Sequence, residues 1–106
     1  VLKVPVPNGS LVDMVSFTQK PVTKTAINEV VRTAAADLYP HLIEYTDDPI
    51  VSSDVKSSPY SSTFDALATQ VLDDSLVKTV SWFDNGWGYA HRAIDLVAYL
   101  ASKGAL

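Results

Sequence analysis

Few side chains in this sequence could do chemistry, and their spacing narrows the field. A hydrolase triad could be drawn from His91, Asp95 and one of many serines, but no GxSxG elbow is present. His91 and Asp95 stand one helical turn apart, where such pairs commonly form without catalytic purpose. His41 follows Pro40 at a loop and reads as a surface residue. The acidic pairs Asp47/Asp48 and Asp73/Asp74 offer carboxylates to a hard cation. Neither has the Gly and Glu positions of a calcium loop, and both suit turns, so no metal site is expected. There is no cysteine, which removes thiol nucleophiles, disulfides and thiolate metal ligands. No GxGxxG or GxxxxGK[ST] occurs, so no glycine loop cradles a phosphate.

Asn85 differs in kind. In "SWFDNGWGYAHRAIDL", residues 81–96, it lies between an apolar run and an amphipathic run, on a short bend that holds both glycines of the segment. If a strand precedes the bend and a helix follows, Asn85 is aimed outward, where binding groups usually sit. A carboxamide offers two N–H donors and an acceptor, and its commonest local task is to cap the following helix. Trp82, Phe83, Trp87 and Tyr89 cluster around the bend and read as core more readily than as a ligand platform.

The elements that must position these residues are legible in outline. Pro5 and Pro7 fix an extended entry, "NGS" at 8–10 is a turn signal, and 11–18 reads as a strand whose two faces do not separate. Thr23 is an N-cap for a helix on which Ile27, Val30, Val31, Ala34 and Leu38 form one stripe, ending before Pro40. "LIEYT" at 42–46 predicts a short strand, and the Ser-rich "VSSDVKSSPYSS" a surface loop. "TFDALATQVL" and "LVKTVSWF" predict a hairpin turning at "DDS". Tyr89, Ala93, Leu96, Val97 and Leu100 then repeat at helical spacing up to the stop at Gly104, with Lys103 near the negative end of the helix dipole. The order strand, helix, strand, loop, hairpin, helix predicts an α+β fold: a largely antiparallel sheet with helices on one face.

Composition bounds the partners. The chain of 106 residues is 47% hydrophobic and 19% charged, the profile of one globular domain. Its net charge of −4 and scattered basic residues track neither a nucleic-acid backbone nor an anionic membrane. The longest apolar stretch, Leu96 to Ala101, is far too short to span a bilayer, so the chain reads as soluble. It opens "VLKVPVP", without Met and inside a strand-like pattern, and is expected to be a segment of a longer protein.

Together "KVPVPNGSLVD", "YTDDPIVSSD", "SSTFDAL" and "VKTVSWFDNGWGYAHRAIDLVAYLASKG" resemble, in order and spacing, the C-terminal part of phosphorylating glyceraldehyde-3-phosphate dehydrogenases, over essentially all of 1–106. The resemblance implies a partial catalytic domain of a cytoplasmic, homotetrameric glycolytic enzyme that uses NAD or NADP. In that family an aldehyde is oxidised through a cysteine thiohemiacetal, and phosphate releases the product as an acyl phosphate. The Cys and its activating His lie upstream in the family, so this segment alone is expected to be inert and to hold no catalytic residue. Asn85 matches the Asn that bonds the nicotinamide carboxamide, and Tyr89 would pack near the same pocket. Lys3 aligns with an Arg that grips the substrate phosphate; Lys keeps the charge but loses the planar fork. Gly86 stands where Glu is usual. The helix over 87–103 is expected to pack against a nucleotide-binding domain. Two alternatives stay open: a paralogue acting on erythrose 4-phosphate, and a non-catalytic binding or assembly module using the apolar stripe of the last helix.

Overall fold

The computed structural model describes residues 2–106. In chain order it contains β1 (Ser10–Phe17), α1 (Lys24–Asp37), β2 (Ile43–Thr46), a short 3-10 turn (Ser52–Val55), β3 (Ser62–Asp65), β4 (Gln70–Leu72), β5 (Leu76–Phe83) and α2 (Trp87–Ser102). The fold is α+β with a five-stranded sheet in the order β1-β5-β3-β2, and β4 also pairs with β5.

β5 organises the sheet. One of its edges pairs antiparallel with β1 along its length, from Ser10↔Phe83 to Phe17↔Leu76. Its other edge meets β4 first, at Val71↔Val77, and then β3, at Phe64↔Ser81. The run "TFDALATQVL" is therefore two strands separated by a turn. Asp65 makes the break: its Oδ1 accepts the Ala68 N–H at 3.1 Å, and its Oδ2 accepts the Trp82 indole N–H at 3.1 Å. Asp73 and Asp74 reverse the chain into β5 as expected, both left-handed with φ of 49° and 56°. Among the described residues β2 and β3 are the one parallel pair, and the connection over 47–61 supplies the dozen or so residues that a parallel crossover requires. The sheet is thus mixed, with antiparallel pairings in the majority.

Thr23 caps α1 by accepting the Ala26 N–H, and Pro40 follows the end of the helix. The buried face of α1 is rotated from the predicted stripe. Ile27, Val31 and Ala34 are half-buried and Ala35 is buried, whereas Val30 and Leu38 are exposed. Polar contacts set that rotation: the Asn28 side-chain amide donates to the Ala66 carbonyl at 3.0 Å, and Lys24 Nζ donates to the Leu67 carbonyl at 2.7 Å. Ala35, Val55, Phe64, Ala66, Val77 and Val80 form the buried apolar core, and Tyr45 stacks on Phe64 with ring centroids 6.0 Å apart. Both faces of β1 stay open, with Leu11, Val12, Met14, Val15 and Phe17 all exposed, which explains why its sequence shows no clean alternation.

α2 meets the rest of the chain through its first turns. Gly88 lies against Tyr60 and Ser61, and Arg92 donates to the Pro59 carbonyl and the Ser61 hydroxyl. Beyond that, Ile94, Leu96, Val97 and Tyr99 are exposed. The radius of gyration, 15.8 Å, exceeds the roughly 13 Å of a compact domain of this length, as these uncovered faces require. No described helix is long and apolar enough to cross a membrane.

Candidate functional site

The β5–α2 corner is built on Asp84, which is only 5% exposed. Its two carboxylate oxygens divide the work. Oδ1 accepts the backbone N–H groups of Gly86 at 3.0 Å and Trp87 at 2.9 Å, satisfying the open end of α2. Oδ2 accepts the Asn8 side-chain amide and the Ser57 N–H, each at 2.8 Å. Ser57 is itself left-handed, with φ of 62°, an uncommon conformation for a residue with a side chain. Hydrogen bonds from the Trp87 and Ser57 backbone, joined by Asn8 and Gly86, hold the Asp84 carboxyl below its ordinary range, although burial pushes the other way.

Because Asp84 caps the helix, Asn85 does not. Its side chain is exposed and makes no hydrogen bond among the described residues. It faces a shallow hollow of 300 Å³ lined also by Ser61, Phe83, Tyr89 and Arg92. Local sequence logic favours Asn85 as the cap. The structure gives that task to its neighbour, whose charge suits a helix N-terminus better. The aromatic cluster also departs from the core reading: Trp87 and Tyr89 are 50% and 76% exposed, while Trp82 and Phe83 are half-buried. The corner therefore presents an uncommitted carboxamide beside aromatic surface.

The other predicted residues are placed as follows. Lys3 is exposed on the extended entry and is not among the residues lining the hollow. It stands five positions before Asn8, so its backbone lies within roughly 17 Å of the residue that bonds Asp84. His91 Nδ1 contacts the Trp87 carbonyl at 3.0 Å, and Asp95 pairs with Arg92 at 2.8 Å, so the His91–Asp95 pair that a triad would need is not made. His41 is exposed. Sequence reading missed Asp84, Asn8, Ser57 and Arg92. The available signal was the Asp–Asn pair at 84–85, two good capping residues competing for one helix end. A larger hollow of 460 Å³ follows the outer face of α1 past Val30, Thr33 and Leu38; Glu29, one of its acidic lining residues, is already paired with Arg32.

Comparison with known proteins decides what this corner belongs to. The family model for the glyceraldehyde 3-phosphate dehydrogenase C-terminal domain matches residues 1–85. The chain belongs to the glyceraldehyde-3-phosphate dehydrogenase family. Among similar dehydrogenases, that of Geobacillus stearothermophilus is 47% identical over 103 residues, covering 97% of this chain and 31% of the relative. Glyceraldehyde-3-phosphate dehydrogenase 1 of Bacillus subtilis (strain 168) is 43% identical over 103 residues, with the same two shares. The testis-specific dehydrogenase of Rattus norvegicus is 44% identical over 101 residues, or 95% of the chain and 23% of the relative. The chain thus spans a third or less of each relative and corresponds to the C-terminal part of a dehydrogenase. The family model stops at Asn85, immediately before α2, whereas the Geobacillus match takes in 97% of the chain.

Proposed function

We propose that this chain is the C-terminal portion of a catalytic domain in an enzyme that oxidises and phosphorylates glyceraldehyde 3-phosphate to 1,3-bisphosphoglycerate in glycolysis, with NAD or NADP as the hydride acceptor. One observation carries the reading: Asp84 caps α2, which leaves the Asn85 carboxamide uncommitted at a hollow flanked by Phe83 and Tyr89. When bound, the coenzyme supplies the hydride acceptor. Asn85 hydrogen-bonds the nicotinamide carboxamide, and Tyr89 flanks the ring. A single such bond adds about 1 kcal/mol of affinity, but it selects which ring face meets the substrate, so its main effect is on turnover. Lys3 neutralises part of the substrate phosphate. The Cys nucleophile and its His belong to the rest of the protein, and the 106 residues alone are inert.

The remaining assignments follow from the same membership. A nucleotide-binding domain covers the exposed stripe through Leu96 and Val97 on α2, four such chains assemble, and the enzyme works in the cytoplasm. Exposed apolar surface of this extent on α2 is the physical reason to expect a covering partner.

The test is Asn85→Ala in the intact protein, assayed for coenzyme reduction with glyceraldehyde 3-phosphate and inorganic phosphate. Turnover should fall roughly fivefold or more, with the KM for coenzyme little changed. Full turnover in the variant refutes the role of Asn85. Equal or better turnover of erythrose 4-phosphate by the unmodified protein overturns the substrate.

A further inference from the structure

We propose that Asn8 is a positioning residue for Asn85: through the Asp84 carboxylate it locks the β5–α2 corner in the arrangement that keeps the Asn85 amide free for its ligand. The functional consequence rests on the nicotinamide reading above, whereas the geometry does not.

Asp84 and Asn85 are adjacent, and both residue types cap helices well. Asp84 holds the position while its second oxygen is anchored. That anchor has two parts, Ser57 N–H and Asn8 Nδ2, each 2.8 Å from Oδ2. Without Asn8 the carboxylate loses a donor on the side away from the helix and gains freedom to rotate. The Asn85 side chain can then fold back onto the open helix end, where it is no longer available to a ligand.

Asn8 is itself fixed at both ends of its amide. Its Oδ1 accepts the Gly9 N–H at 2.7 Å while its Nδ2 serves Asp84, which sets the orientation of the carboxamide. Gly9 has φ of +92°, and a Cβ there would stand 2.5 Å from the Ser52 carbonyl oxygen. The entry segment is therefore pressed onto the 3-10 turn at a place that admits no side chain. Asn8, Ser57 and Asp84 come from three separate stretches that meet at one carboxylate. Arg92, the other charged residue lining the hollow, is committed to Asp95 at 2.8 Å and Ser61 at 2.9 Å.

The test is the isosteric Asn8→Asp in the intact protein, with Asn8→Ala beside it. Asn8→Asp keeps the acceptor for Gly9 and sets a second carboxylate against Asp84. At alkaline pH the two repel; as pH falls the pair takes up a shared proton, and an O–H donor replaces the lost N–H. The Asn85 side-chain amide signals in selectively labelled protein should be displaced from wild type at high pH and return towards it at low pH. In Asn8→Ala they should be displaced at every pH. Turnover relative to wild type should follow the same course, down roughly fivefold where the signals are displaced, with coenzyme KM little changed. In an Asn85→Ala background neither substitution at position 8 should reduce turnover further. Asn85 signals that stay at the wild-type position in both variants overturn the inference whatever the activity. Losses at positions 8 and 85 that simply add also overturn it. Displaced signals with unchanged turnover uphold the positioning and refute the nicotinamide role instead.

Discussion

Gly88→Ala is expected to destabilise the protein, against the usual gain from replacing glycine in a helix. Gly88 lies in the first turn of α2 and is buried. A Cβ at this position would stand 2.8 Å from the Tyr60 carbonyl oxygen, a backbone atom that cannot swing aside like a flexible side chain. Two terms compete. Alanine improves helix propensity by about 1 kcal/mol, while forcing a methyl group into a packed contact typically costs about 1–3 kcal/mol. The net is a loss of about 1 kcal/mol, or roughly 4–8 °C in Tm for a domain of this size. Gly86→Ala is the control. Its φ and ψ of −84° and −53° are helical, and its added Cβ meets the Asp84 Oδ1 at 3.7 Å, an ordinary contact. Gly86 precedes α2, so its gain comes instead from the reduced freedom of the unfolded chain, about 0.4–1 kcal/mol, and that variant should melt above wild type. Thermal melts of both, read by circular dichroism, give the comparison. A Gly88→Ala variant as stable as Gly86→Ala would show that α2 does not press on residues 60 and 61, and the close packing of the β5–α2 corner would be refuted with it.

Further outcomes follow from the same geometry. The Asp84 carboxyl is held below its ordinary value of 3.8, so the stability it contributes is complete above that value and is lost as pH falls through the lower folded one. Urea midpoints between pH 7 and pH 2 should therefore fall below about pH 4 in the wild type, while Asp84→Asn is weaker at neutrality and less dependent on acid. Asn85→Ala, removing an exposed side chain with no internal bonds, should leave stability within about 0.5 kcal/mol of wild type in the same urea titrations while turnover falls. On the proposed phosphate role of Lys3, Lys3→Arg should supply a two-pronged grip and lower the KM for the phosphorylated aldehyde several-fold, by about 1 kcal/mol, measured by steady-state kinetics in the intact protein.

What sequence could reveal here was governed by how local the determining interaction is. The Thr23 cap, the end of α1 near Pro40, the Asp73–Asp74 reversal and α2 all depend on neighbours a few positions away, and all appear where their residues predict them. The division of "TFDALATQVL" into β3 and β4 depends on Asp65 finding Trp82, a partner on another strand. Val55 is buried within a Ser-rich stretch whose composition reads as solvated, because a single apolar residue leaves no periodicity to detect. The face of α1 follows Asn28 and Lys24 bonding to a distant turn rather than its apolar spacing. At the site, family resemblance singles out Asn85 and Tyr89, while the local signal for Asp84, its charge beside a helix N-terminus, competes with an equally good capping residue next to it. The partners that favour Asp84 are Asn8 and Ser57, both remote in the chain.

The bond between Asn8 and Asp84 closes a span of 76 positions. Closures of such length form late, since the chain must surrender the freedom of everything in between before the contact returns any gain. On a ribosome, Asn8 emerges long before the carboxylate it serves, and the entry segment must wait, unpaired, until β5 has joined the sheet. The Asn85 amide is thus among the last features to acquire its final geometry, so that, on the reading proposed above, ligand competence would report on completed folding.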